Sequence, residues 1–427
     1  MMTSDSDNNE AFVWVWLPNE TKPVVAGRLA ANGDDLQFNY ARSYLARDNA
    51  ISLYEPELPL RDGVLPLLNG LHMPSCIRDA APDAWGRRVI INRKLGAKKR
   101  EVDTAELSEL TYLLESGSDR IGALDFQRSP TDYVSREATA ASLDELQNAA
   151  EKVEKGIPLN PDLDAALLHG SSIGGARPKA LIESQDKKYV AKFSSQNDLY
   201  NAVKAEYIAM RLAADAGIDA APVSLRHIAG KDIILVERFD RHKLKEGWQR
   251  RAMVSALTLL ELDEMMARYA SYEDLATIIR HRFTEPKATL KELFARLSFN
   301  ILCGNTDDHA RNHSAYWDGQ NLTLTPAYDI CPQGRSGGEA SQAMLIAGDQ
   351  NASQIATCLN AASQFLLSSD QAFSIIEHQI KTIFNRWNAI CIEAQLSEVD
   401  RNYLWRRQFL NPYAFINAPA GLAEILD

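Results

Sequence analysis

No apolar run in the 427-residue sequence approaches the roughly 18 residues that a spanning helix needs, so the chain offers no candidate membrane segment. The start, MMTSDSDNNEAF, lacks both the basic and the apolar stretch of a secretory leader, and a cytoplasmic protein is expected. Cysteine is scarce: Cys76, Cys303, Cys331, Cys358 and Cys391 are odd in number and widely scattered. No pair has metal-ligand spacing, which excludes a disulfide framework and a cysteine-held zinc and leaves reduced thiols. Positive charge is in deficit too. A formal net charge of −11 repels nucleic acid on average, so any DNA contact must come from a local basic patch or a basic partner. Internal repeats are absent as well.

What is present suits a globular protein: 45% hydrophobic and 24% charged residues argue against wholesale disorder. The length suggests about two or three domains or lobes. Phe12 to Trp16, Val24 to Leu29 and Leu36 to Tyr40 read as short strands separated by turns, a small antiparallel unit bounded at about residue 100, with Trp14 and Trp16 in its core. Segments 104 to 115 and 142 to 154 are helical in period, with Thr104 and Ser142 as N-caps, and Gly122 to Phe126 reads as a strand between them. Strands are expected over Lys179 to Glu183, Lys188 to Phe193 and Asp232 to Phe239. A helix carries Ala205, Ile208, Leu212 and Ala216 and stops at Gly217. From Met253 onward most segments read as helices, interrupted by a turn-rich stretch over 303 to 350. The order is β-rich, then mixed, then helical, an α+β arrangement with a small β-lobe and a helical lobe.

Three constellations carry chemistry. Ser171-Ser172-Ile173-Gly174-Gly175-Ala176-Arg177-Pro178-Lys179 is a glycine turn whose backbone can approach a phosphate, although it matches no Walker or dinucleotide spacing and reads equally as a plain turn. Lys192 in the apolar strand Val190 to Phe193 asks for an anionic partner, either nucleotide phosphates or Glu206 on the next helix, unless it snorkels to water. The strongest is Gly304-Asn305-Thr306-Asp307-Asp308-His309-Ala310-Arg311-Asn312, followed by Tyr328-Asp329-Ile330. An Asp, an Asn five residues on and a later Asp is the protein-kinase order of catalytic base and two magnesium ligands. Magnesium accepts such hard oxygen donors. The same stretch holds His309 and His313 at a spacing that on a helix could bind zinc with Asp307 or Asp308. Gly304 and Asn305 favour a loop there, and no HExxH pattern is present.

In content and order the strings SSIGGARPKALI, YVAKF, AEYIAMRLA, LVERFDR, GNTDDHARNHS and PAYDI resemble the signature segments of HipA-family kinases, the toxins of bacterial persistence modules. GRL at 27 to 29, FNY at 38 to 40, AISL at 50 to 53, PDAWGR at 82 to 87 and GSDRIGALDF at 117 to 126 resemble that family's amino-terminal part, so the likeness covers nearly the whole chain. It implies a two-lobed, protein-kinase-like fold: a coupling subdomain over 1 to 100, the rest of the small lobe over 101 to 245, and a helical lobe over 246 to 427. By the same resemblance Asp307 is the catalytic base, Asn312 and Asp329 hold magnesium, and Lys192 contacts ATP phosphates. Gly174, Gly175, Ala176, Arg177, Pro178 and Lys179 cover the nucleotide, and Glu237, Arg238 and Phe239 form the hinge for adenine. His309, Ala310, Arg311 and Tyr328 complete the nucleotide surroundings. Ser172, or Ser171, takes the position of a self-inhibitory phosphoserine.

The activity implied is that of an ATP- and magnesium-dependent serine/threonine-protein kinase, with an aminoacyl-tRNA synthetase as target and a helix-turn-helix antitoxin as partner. DNA would be reached through that antitoxin. Two other readings stand beside it: a weakly catalytic corepressor working with a DNA-bound partner, and a small-molecule kinase.

Overall fold

The structure, a computed structural model, describes residues 9–68, 70–95, 107–136, 141–159, 161–169, 172, 175–195, 198–228, 230–335 and 337–426. The chain divides into two compact units, one of residues 1–196, 227–254 and 316–320 and the other of 197–226, 255–315 and 321–427. It is α+β, with sheets concentrated towards the N-terminus and helices towards the C-terminus.

The first unit opens with a five-stranded sheet in the order β4-β3-β2-β1-β5. Its strands are β1 (Glu10–Val15), β2 (Val24–Asn32), β3 (Asp35–Tyr40), β4 (Val64–Leu65) and β5 (Leu124–Gln127). The first three are the expected hairpin run, and Trp14 and Trp16 are buried, each packed against Tyr133. This sheet closes beyond the bound expected near residue 100, because β5 pairs antiparallel with β1. A long-range pairing of this kind leaves no local signature. The expected Thr104 cap lies outside the described residues; the described helix there, Glu109–Glu115, is capped by Ser108. Ser142 does cap the helix Leu143–Glu154, with Glu145 completing a capping box.

A second sheet runs in the order β6-β7-β9-β8 and comprises β6 (Lys179–Ser184), β7 (Lys187–Phe193), β8 (Val223–Ile228) and β9 (Lys231–Glu237). One face presents Ala180, Ala191, Phe193, Ile233 and Leu235 to a core shared with Trp85, Val89, Leu146, Ala149 and Leu167. The segment after β9, read from sequence only as charged, is a hairpin of β10 (Arg241–Leu244) and β11 (Gly247–Arg250).

In the second unit, helix Ala202–Asp215 ends as expected, with Gly217 at φ 83° just past its cap, and packs on the 25-residue helix Ser369–Glu393. Helix Pro286–Cys303 runs through the middle of the core, burying Leu290, Leu293, Phe294, Leu297, Phe299, Ile301 and Leu302. Among the described residues no helix is long and apolar enough to cross a membrane. All five cysteines are free thiols.

Candidate active site

Helix Pro286–Cys303 stops where the loop carrying Asp307 begins. Gly304 takes the left-handed conformation at φ 74°, and a Cβ there would lie 2.7 Å from the carbonyl oxygen of Gln408. Glycine is required on both counts. The chain then leaves the helix as a loop, with a single 3₁₀ turn over Ala310–Asn312. His309 and His313 therefore do not share a helical face, and the zinc reading loses its geometry. Among the described residues no group of three or more His, Cys, Asp or Glu side chains is placed to hold a metal ion.

Within the loop, neighbouring carboxylates have opposite fates. Asp307 is exposed, whereas Asp308 is 2% exposed. Asn312 N–H donates to the His309 carbonyl at 2.8 Å, and two hydrogen bonds converge on the Asp307 carbonyl, from His309 N–H at 2.9 Å and from Asn312 Nδ2 at 3.2 Å. The last bond fixes the amide orientation, so Asn312 presents Oδ1, the atom a hard cation would take. Partial burial, together with the nearby carboxylates of Asp329 and Asp308, pushes the Asp307 carboxyl above its usual range, opposed by His309. Asp329 sits at φ 59°, an unusual backbone state for a non-glycine residue and one found preferentially at functional sites. Beside it the Tyr328 hydroxyl donates to the Arg311 carbonyl at 2.7 Å and meets the Ser314 hydroxyl at 2.6 Å. Arg311 pairs with Glu264.

Beneath this loop lies a cradle that was not recognised from sequence. Asp308 accepts from Asn300 Nδ2 at 2.7 Å and from the Tyr272 hydroxyl, and lies 3.0 Å from His313 Nε2. Asn305 Nδ2 donates to Asn300 Oδ1 at 2.9 Å, and Gln342 Nε2 to the Asn305 carbonyl at 3.0 Å. Burial alone would raise the Asp308 carboxyl, but His313 and the Tyr272 hydroxyl hold it below the usual carboxylate range. A buried asparagine in the apolar run LSFNILC was the available signal.

In the first unit, Lys179 and Lys192 stand opposite each other across the β6–β7 ladder, on the face away from the helix-packed core. Lys179 is 3% exposed. Of the glycine turn, Ser171, Ile173 and Gly174 lie outside the described residues. Gly175 has φ 102°, and its N–H donates to Asp83 Oδ2 at 2.7 Å. Asp83, in the segment PDAWGR, is thus a contact of the turn that sequence reading did not foresee. Ala176 is exposed, Arg177 half-buried, and the Pro178 carbonyl accepts from Phe193 N–H at 3.0 Å. Ser172 is buried, and among the described residues its hydroxyl has no hydrogen-bond partner.

The expected hinge is partly engaged already. Arg238 N–H donates to the Lys188 carbonyl at 2.8 Å, the Phe239 carbonyl accepts from the Tyr316 hydroxyl at 3.0 Å, and Glu237 pairs with Lys187 at 2.6 Å. The Arg238 guanidinium enters a buried ion network with Asp119, Asp240, Arg241 and Lys188. Glu206 is 2% exposed on helix Ala202–Asp215 of the second unit, whereas Lys192 belongs to the first.

Known proteins share this pattern. A model described as HipA-like C-terminal domain matches residues 171–387, and one described as HipA N-terminal domain matches residues 15–127. "Putative kinase Y4mE" of Sinorhizobium fredii is 26% identical over 323 residues, spanning 69% of this chain and 72% of that protein. The serine/threonine-protein kinase toxin HipA of Shewanella oneidensis is 25% identical over 186 residues, which is 37% of this chain and 42% of that one. The solved complex of Shewanella oneidensis HipA with HipB and operator DNA has the same fold, with a TM-score of 0.66 at 18% identity over 97% of this chain and 99% of that one.

Proposed function

Because this chain belongs to the HipA family, we propose that it is an ATP-dependent serine/threonine-protein kinase acting as the toxin of a toxin-antitoxin pair. The observation that carries the reading is the loop Asp307 to Asn312: an exposed carboxylate, and five residues on an asparagine whose amide is oriented by the carbonyl of that same aspartate. Asp307 accepts the proton of the acceptor serine hydroxyl, or orients that hydroxyl, as it attacks the γ-phosphoryl group. Asn312 and Asp329 would hold magnesium, a hard cation that fits their oxygen donors and, when bound, offsets charge on the phosphate oxygens. Lys192 and Lys179 attract the phosphates, the turn Gly174 to Pro178 covers them, and the Glu237 to Phe239 backbone meets adenine. His309, Ala310, Arg311 and Tyr328 complete the nucleotide contacts. The protein contributes position and charge rather than covalent chemistry.

The acceptor is a serine of another protein, in the first instance an aminoacyl-tRNA synthetase. The partner is a small helix-turn-helix antitoxin, which supplies the basic surface that a chain of net charge −11 lacks for DNA. The complex solved for the Shewanella relative supports that partnership. Self-inhibition by phosphorylation of Ser172, with Ser171 as the neighbouring alternative, accords with the burial of Ser172: a phosphoserine of about −1.5 to −2 charge could not stay in that position, and the turn would have to leave it.

The test is incubation with labelled Mg-ATP and a cell extract. Label on protein supports the reading, and label only on a metabolite would make this a small-molecule kinase. Asp307→Asn should lower transfer by about 10² to 10⁴-fold while ATP binding persists. Asp329→Asn should weaken magnesium-dependent ATP binding measured by calorimetry.

A further inference from the structure

We infer that Asp308 is a positioning residue for phosphoryl transfer, which with Tyr272, Asn300 and His313 clamps the catalytic loop from beneath; the inference rests on the kinase reading. The geometry of the clamp explains why. Asp308 follows the proposed base directly and His313 follows the proposed magnesium ligand directly, so the Asp308–His313 contact of 3.0 Å spans the same five-residue interval one step along. A bond closing that interval sets the separation of Asp307 and Asn312. The loop cannot lengthen without breaking it.

The clamp is held from two helices. Tyr272 is the first residue of helix Tyr272–Arg282, is fully buried, and directs its hydroxyl to Asp308, with His313 Nε2 at 3.2 Å. Asn300 comes from the last turn of helix Pro286–Cys303, and its own amide is oriented by Asn305. With both carboxylate oxygens engaged, Asp308 is fixed inward, and the exposed side of the loop is left to Asp307. Nothing in this arrangement needs to touch substrate. Its effect is to keep the base and the ligand within the few tenths of an ångström that phosphoryl transfer tolerates. The role differs from that of a core hydrogen bond, because the groups it aligns are the ones proposed to react.

Three variants separate alignment from mere stability. Tyr272→Phe removes only a hydroxyl, Asp308→Ala removes the anchor, and Asp308→Asn restores its shape and one acceptor. The initial rate of label entering the proteins of a fixed cell extract is measured against ATP concentration. Maximal rate should fall about 10-fold for Tyr272→Phe and about 100-fold for Asp308→Ala, with Asp308→Asn between them and wild type, while the ATP KM moves less than about threefold. A purely structural clamp would instead lower the melting temperature and leave the rate per folded molecule at the wild-type level. Wild-type maximal rates in both Tyr272→Phe and Asp308→Asn would overturn the inference even if Asp308→Ala does not fold. An active wild type with active variants removes only the positioning role, whereas a wild type that labels no protein removes the kinase reading and the positioning role with it.

Discussion

Two clusters of charge in this protein have opposite designs. In the first unit Asp119 and Asp240 face Arg238, Arg241 and Lys188 inside the protein, with contacts of 2.7 to 3.1 Å. The Gly122 N–H adds a further bond to Asp240 at 2.8 Å. Burial would raise both carboxyls, yet the surrounding guanidinium groups hold them below the usual range. In the second unit Asp307 reaches the surface, and desolvation of its carboxyl, with Asp329 and Asp308 beside it, pushes that carboxyl up. One cluster pairs its carboxylates internally and ties segment 117–126 to segment 238–241. The other leaves the Asp307 carboxylate facing outward.

The sharpest way to break this contrast is to remove a partner from the buried, paired cluster. Asp119→Ala leaves Arg238, Arg241 and Lys188 short of a buried carboxylate and should cost about 3–5 kcal/mol, read from denaturant unfolding. A loss below about 1 kcal/mol would mean that the network is solvated and not structural.

Acid should act on the same cluster more gradually. Because the folded-state pKa values of Asp119 and Asp240 lie below the ordinary 3.8, their contribution is complete above that value and is lost as pH falls through the depressed range. Melting temperature should therefore decline below about pH 4, and Asp240→Asn should flatten the decline. A variant with an unchanged acid slope would contradict the assignment.

The smallest effect is expected at the outward-facing cluster. Asp307→Asn removes a charge that its carboxylate neighbours disfavour, so the melting temperature should stay level or rise slightly even as transfer is lost. A marked fall would place Asp307 among the structural carboxylates and dissolve the comparison.

Features set by neighbouring residues are legible in the sequence. The Ser142 cap and the Gly217 stop depend on residues within one or two turns of chain. The hairpin β10–β11 was missed because its charged residues obscured the alternation that marks a strand. Asp83 beneath the glycine turn, at 92 residues' separation from Gly175, had no local mark at all. The ion network was visible only as two separate strings, GSDRIGALDF and LVERFDR.

By itself the sequence determined which residues could do chemistry and in what order they come, since spacing along a loop, glycine backbone freedom and apolar periodicity are properties of neighbours. Which of two adjacent aspartates is buried, and which charges cancel one another, was decided only by the tertiary structure. Burial and pairing are set by groups that arrive from distant segments: Tyr272, Asn300 and His313 around Asp308, and Arg238 and Arg241 around Asp119. The energy of a charge depends on those surroundings far more than on its place in the chain.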